Sequence, residues 1–293
     1  MASSTSLISD FAAAPISLSR KIMDNLATSA AVLAVILVLA PLAGIFGYLV
    51  YMGIGSLNLA FFTHIPAPPG EVGGGMANAI AGSVYILFLA SIAGVPIGIG
   101  AGIYLAEYGR NKFGNIIRFT ADVLNGVPSI VIGIVAYGIV VLTQGHFSAL
   151  AGGVALAMMM IPTITRTTEE MLLLVPNVVK EAAYGLGVPR WRTTLSITLR
   201  TATSGVITGV MLAFARVAGE TAPLLFTTLG NSYWNWKINQ PTAALSLQIY
   251  TYALSPFDDW HRQAWAGSLI LIILIVGAVS AVRIVSSRGM MKG

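Results

Sequence analysis

Lys180-Glu181-Ala182-Ala183-Tyr184-Gly185-Leu186-Gly187, eight residues within the polar stretch 166–203, decide how the rest of this chain is read. Long apolar runs flank the stretch on both sides, which makes it a charged island between them. Beyond Glu181, Ala182 and Ala183 the spacing is specific: three residues, Gly187, nine residues, Ile197, one residue, Leu199. Thr167 followed by Glu170 has capping-box spacing and predicts a helix start near Thr168. Pro176 ends that element, and Asn177 is a suitable N-cap for the next. Val178, Ala182 and Leu186 fall at i, i+4 and i+8, a narrow apolar stripe on one helical face. Gly187 permits a turn, and Pro189 suits the opening of the helix that follows. The expectation is two short helices joined sharply, with charge at Lys180, Glu181, Arg190 and Arg192. A solvated hairpin between two spans would account for the charges alone. The alanine pair and Gly187 point further, to close approach by another body, because a solvated face has no need of small residues.

Working outward, only 9% of the 293 residues are charged while 56% are apolar. An average soluble domain is about 25% charged, so a membrane is the natural solvent and lipid an expected contact. Cysteine is absent, which excludes disulfides and thiolate metal sites. The net charge of +5 is read as the basic excess of cytoplasmic loops, not as a nucleic-acid surface. At the N-terminus, Ala12-Ala13-Ala14 precedes the apolar run Leu26 to Tyr51, whereas a cleavage site would follow it. That run reads as a retained first span.

A membrane span needs about 20 mostly apolar residues. Six segments qualify: 27–53, 78–106, 119–143, 148–165, 204–228 and 264–285. Pro41, Pro96, Pro128, Pro162 and Pro223 interrupt them, as a packed bundle tolerates. Gly94, Gly98 and Gly102, and likewise Gly205 and Gly209, are read as close helix contacts without chemistry. With the N-terminus inside, 13 of the 16 Lys and Arg residues fall in inner segments. Both termini are therefore expected in the cytoplasm. Residues 54–77 and 229–263 become outer segments, the first an irregular loop, the second with a helix at Ala243 to Leu254. Trp234 and Trp236 fit the aromatic belt at a membrane boundary better than a ligand site.

Three stretches carry a family resemblance. Arg166-Thr167-Thr168-Glu169-Glu170-Met171-Leu172 leads to Val175-Pro176-Asn177; the alanine pair follows; and Ala215-Arg216-Val217-Ala218-Gly219-Glu220-Thr221-Ala222-Pro223-Leu224-Leu225 comes third. From about residue 70 onward the chain resembles the permease subunits of phosphate-specific ABC importers, of the PstA type. The resemblance implies an all-α, polytopic fold of six transmembrane helices, the type I ABC importer permease fold with cytoplasmic EAA coupling helices. Residues 1–70 would hold an N-terminal cytoplasmic segment, the first span and the start of the first outer loop. Residues 71–285 would form the five-span permease core, and 286–293 a short cytoplasmic tail. It also implies a bacterial inner-membrane location, a second homologous permease chain, two ATPase subunits and a periplasmic phosphate-binding protein. Lys180, Glu181, Ala182, Ala183 and Gly187 would be the ATPase grip. The family pattern ends in proline where this chain has Arg200.

Arg216 and Glu220 are four residues apart, neighbours on one face if the helix is continuous. Each would cost about 2.5–3.5 kcal/mol at the centre of an inserted helix. One reading is a self-satisfied salt bridge. The other is an oxyanion contact, with Arg216 as a permanently charged fork and Glu220 preventing a trap. Leu224 and Thr227 would extend the same face. By resemblance, Arg216, Glu220 and Thr221 matter for phosphate translocation, and Arg166 is either an exit contact or a boundary anchor. The chain has no Walker loop, no metal-ligand cluster and no nucleophile elbow, so no cofactor and no covalent chemistry are expected on it. His64, His146 and His261 are read as solvated loop residues. An ABC permease for another oxyanion or an amino acid remains the first alternative. An ion-coupled secondary transporter would need an inverted repeat, and a membrane hydrolase a nucleophile with its base.

Overall fold

This computed structural model describes residues 17–290, with side chains described as far as Ile284. Ala12-Ala13-Ala14, Lys292, the side chain of Arg288 and both chain ends lie outside the described residues, and with them the expectation placed on the termini. The chain divides into two compact units at Tyr51 and Met52. The first holds α1 (Leu18–Ile54) as far as Tyr51, an apolar helix that continues through Pro41. The second unit next contains α2 (Leu59–Thr63), a short helix whose first turn is capped by Asn58 Oδ1 accepting from Phe61 N at 2.8 Å.

The central helices follow. They are α3 (Ala77–Tyr108), α4 (Lys112–Gly126) and α5 (Ser129–Ala136), which passes through a π turn at Tyr137–Val141 into α6 (Leu142–Gln144). Next come α7 (Ala149–Leu173), α8 (Asn177–Gly185) and α9 (Arg190–Thr193). A second π turn, Thr194–Thr198, joins α9 to α10 (Leu199–Ala218). α11 (Ala222–Leu225), α12 (Leu245–Ala253) and α13 (Asp258–Met290) complete the chain. Among the described residues, five helical stretches are long and apolar enough to cross a membrane. The third expected span, 119–143, is instead two helical segments meeting at 109°.

Pro128 makes that break. It pushes Val127 out of the helical region, to φ −71° and ψ 134°, and cannot supply the N–H that would continue the ladder. Pro96 and Pro162 stay inside continuous helices, as a packed helix bundle tolerates. The fourth and fifth spans also differ from expectation. α7 runs to Leu173 from a Ser148 cap, so no helix starts near Thr168. The fifth begins at Arg190, and Arg200 sits within it, not at an exit.

Between helices in a bilayer the gain comes from close packing, because lipid is as apolar as leucine. α3 and α7 achieve it with glycines: a Cβ at Gly98 would lie 2.7 Å from Ile164 Cβ, and one at Gly102 2.5 Å from Thr168 Cβ. Gly205 and Gly209 of α10 press on Met171 and Thr167 of α7 in the same way. Ile86, Leu156, Met160, Ile164, Val217 and Leu224 fill the core between these helices. The helix expected at Ala243 to Leu254 is α12. It packs on α13, where Tyr252 stacks on Trp260 at 4.3 Å.

Candidate functional site

The polar stretch folds as a hairpin, close to expectation in outline and different in detail. Pro176, not Asn177, occupies the cap position of α8, and no side chain caps it. Gly187 makes the turn with φ +76°, a left-handed conformation that suits glycine. Pro189 caps α9, which then continues into the fifth span. Along α8 only Ala183 is buried. Val178 and Leu186 are 73% and 84% exposed, and Trp191 beyond the turn is 62% exposed, so the expected apolar stripe has no cover from this chain.

The hairpin is tied to the end of α3. Lys180 Nζ meets Glu107 Oε1 at 2.6 Å, with both side chains largely buried. Arg190 donates to the Glu107 carbonyl and places its guanidinium 4.6 Å from the centre of the Tyr108 ring.

Arg166 lies inside α7, where a charged network holds it. Its Nε is 3.0 Å from Asp122 Oδ1 on α4, and its Nη1 is 2.8 Å from Glu169 Oε2 one turn along. Glu169 is buried and also receives Arg118 Nε at 2.6 Å. Arg118 reaches the Gly109 and Leu105 carbonyls as well, fastening α4 to the last turn of α3. Thr163 Oγ1 and Asn125 Oδ1, 2.9 Å apart, add a further contact between α7 and α4. Arginine suits this place, since its fork can meet two carboxylates at once.

The expected Arg216–Glu220 pair does not form. α10 ends at Ala218 and Gly219 caps it, so Glu220 and Thr221 lie beyond the helix and the four-residue spacing no longer puts Glu220 on the Arg216 face. Among the described residues neither Arg216 nor Glu220 belongs to an ion pair. Arg216 is exposed in the last turn of α10, where a cation also complements the helix dipole. The Glu220 backbone carbonyl accepts Ser246 Oγ at 2.8 Å, which pins the break to α12. Leu224 and Thr227, expected on the Arg216 face, are buried instead. α11 packs on α5, where a Cβ at Gly133 would lie 2.6 Å from Pro223 Cα.

Register places the two arginines. Gly205 faces Met171 and Gly209 faces Thr167, so α10 runs antiparallel to α7. Counting 1.5 Å per residue from the Gly209–Thr167 level puts Arg216 roughly 10 Å further along the axis than Arg166. Arg216 lies at the end of its span opposite the hairpin. A cavity of about 490 Å³, which Arg216 does not line, opens between the Pro66–Pro69 loop, Leu229–Tyr233 and α12. Burial pushes the Tyr252 hydroxyl lining it up to about 12.

Glu107, Arg118, Asp122 and the pairing of Glu169 were not singled out from the sequence. One signal was available: each of these charges sits at or near the end of an apolar run, where it requires a partner. Among the described residues no cluster of three or more His, Cys, Asp or Glu could hold a metal.

Comparison with known proteins places this architecture. The family model described as the binding-protein-dependent transport system inner membrane component matches residues 94–289. The phosphate transport system permease protein PstA of Yersinia pestis is 49% identical over 225 residues, 76% of each chain. That of Haemophilus influenzae is 45% identical over 258 residues, 88% of this chain and 91% of its own. PstA 1 of Mycobacterium tuberculosis is 33% identical over 282 residues, 94% of this chain. Among solved structures, the inward-facing MetNI methionine ABC transporter aligns with a TM-score of 0.55 at 16% identity, over 73% of this chain and 94% of that one. At that identity the likeness concerns the fold. The chain belongs to the binding-protein-dependent transport system inner membrane components, and among them to the PstA-type permeases of ABC importers, as an integral inner-membrane protein.

Proposed function

We propose that this chain is the permease subunit of an ATP-driven importer of inorganic phosphate, and that it forms the anion path together with a second, related permease chain. The observation that carries this is 45% identity, sustained over 88% of the chain, to a protein named as a phosphate transport permease. The exposed, unpaired Arg216 supports it. A permanent charge in a membrane-spanning helix requires water or a partner, and both are present along a path between two permease chains.

The two arginines divide the work. Arg216, with no carboxylate on it, attracts the anion delivered by a periplasmic binding protein to the outer segments 54–77 and 229–263. Glu220 and Thr221, just past the helix end, flank that contact. Arg166 is already engaged by Asp122 and Glu169, so an anion arriving there competes with carboxylates and is held weakly. The offset first sought in Glu220 is thereby supplied at Arg166. Attraction at one end and easy release at the other is what conduction needs.

Two ATPase subunits grip the hairpins of the two permease chains from the cytoplasm, where both chain termini also lie. On this chain the exposed Val178, Glu181, Ala182 and Leu186 meet the ATPase, Ala183 allows close approach beneath them, Gly187 sets the turn, and Lys180 ties the grip to α3. Hydrolysis belongs to those partners. The test is uptake of labelled phosphate by proteoliposomes containing the complete complex, its binding protein and ATP. Uptake that survives excess sulfate and stops without ATP is expected. Uptake blocked equally by sulfate, or independent of ATP, rejects the proposal.

A further inference from the structure

We infer that Glu107, in the last turn of α3, is a positioning residue that carries the motion of the hairpin into the second span. The inference rests on the ATPase docking proposed above and says how that docking reaches a helix the hairpin does not adjoin in sequence. α7 and α10 are joined to the hairpin by the chain itself, through residues 174–176 and through the π turn after α9. α3 has no such connection, and among the described residues the polar contacts that reach it from the hairpin converge on Glu107 and Tyr108.

Those contacts come from both arms. Lys180, before the Gly187 turn, meets the Glu107 carboxylate at 2.6 Å. Arg190, after the turn, bonds the Glu107 carbonyl and covers the Tyr108 ring. A solvated ion pair would slip under load. This one is different: Glu107 is 7% exposed, and moving Lys180 away would strand a buried carboxylate. The hairpin therefore drags α3 with it. α3 is a continuous helix of 32 residues, in van der Waals contact with α7 where Gly98 meets Ile164 and Gly102 meets Thr168. A packed glycine interface of this kind moves as a unit, since its surfaces cannot interpenetrate further. Displacement at Glu107 thus reaches the helix that carries Arg166.

The chain contains no cysteine, so Ile97→Cys on the exposed face of α3 gives a single labelling site on this chain, with any cysteines of the partner subunits replaced. In the reconstituted complete complex, a fluorophore there should change its signal on ATP addition. Glu107→Gln should abolish that change and lower phosphate carried per ATP at least fivefold, while the ATPase co-purifies in the wild-type amount. Exchanging the pair, Glu107→Lys with Lys180→Glu, should recover at least half of the ratio. A wild-type signal and ratio in Glu107→Gln overturns the inference, as does loss of the ATPase from that variant or no recovery on exchange. Should Glu107→Gln fail to accumulate, Arg190→Lys keeps the charge, loses the planar fit to Tyr108, and must also lower the ratio; a wild-type ratio there is equally fatal. The label answers to ATP whatever the cargo. Failure of wild-type phosphate uptake would count against the proposed substrate, while the label still reports on Glu107.

Discussion

The guanidinium of Arg118 meets the buried carboxylate of Glu169 at 2.6 Å, joining the helix before the Pro128 bend to the helix that bears Arg166. Glu169 thus serves two arginines with its two oxygens, and Asp122 gives Arg166 a second carboxylate. Removing one partner of a buried pair costs about 3–5 kcal/mol. Here both guanidiniums are partly exposed and can recover water, so Glu169→Gln should fall near the lower end, at about 3 kcal/mol. Denaturation of the detergent-solubilised complex measures it. An unchanged midpoint would mean that the other contacts of α4 with α3 and α7 hold it without Glu169.

Arg216→Gln should abolish phosphate uptake with the ATPase still bound. The side chain is exposed and contributes to none of the ion pairs, so its loss breaks no contact that holds the fold. What it removes is a permanent charge at one end of the proposed path. Labelled phosphate uptake and co-purification, measured on the same preparation, decide the matter. Normal uptake would remove Arg216 from the path.

Gly98→Ala should destabilise the chain by about 1–3 kcal/mol, the usual cost of overpacking. The new methyl would sit 2.7 Å from Ile164 Cβ, and neither helix can give way without moving the other. Gly100, two residues on, is the control. A Cβ there meets nothing within 4 Å, so Gly100→Ala should be neutral or slightly stabilising through helix propensity. Equal thermal midpoints for the two variants would refute the close-packed reading of the α3–α7 contact.

Much of this was legible in the sequence because it is local or periodic. Six apolar stretches, a hairpin turning at Gly187, and glycines spaced for helix contact all follow from period and residue type. What escaped depends on tertiary context. Pro96, Pro128 and Pro162 look alike in the sequence, yet only Pro128 ends a helix. The Arg216–Glu220 pairing assumed a helix that Gly219 terminates. The charged contacts that tie one helix to another span long separations, 51 residues from Arg118 to Glu169 and 73 from Glu107 to Lys180, and no short-range spacing predicts them.

Gly187 separates the two reasons a glycine can matter. Its φ of +76° strains any other L-residue, and a branched one most, by about 1–2 kcal/mol. Among the described residues nothing lies within 4 Å of where its Cβ would be, so bulk alone offends no neighbour here. Gly187→Val should therefore disturb the turn and lose most of the ATPase on co-purification. Asparagine adopts the left-handed region more readily, so Gly187→Asn should keep the turn and fold normally. If the ATPase packs against this surface, Asn must still lower co-purification at least twofold, because the space its side chain fills is then the partner's. Wild-type binding by Gly187→Asn would leave Gly187 a role in the turn only and would move the docking contact back onto α8 and its C-cap, at the exposed Val178, Ala182 and Leu186.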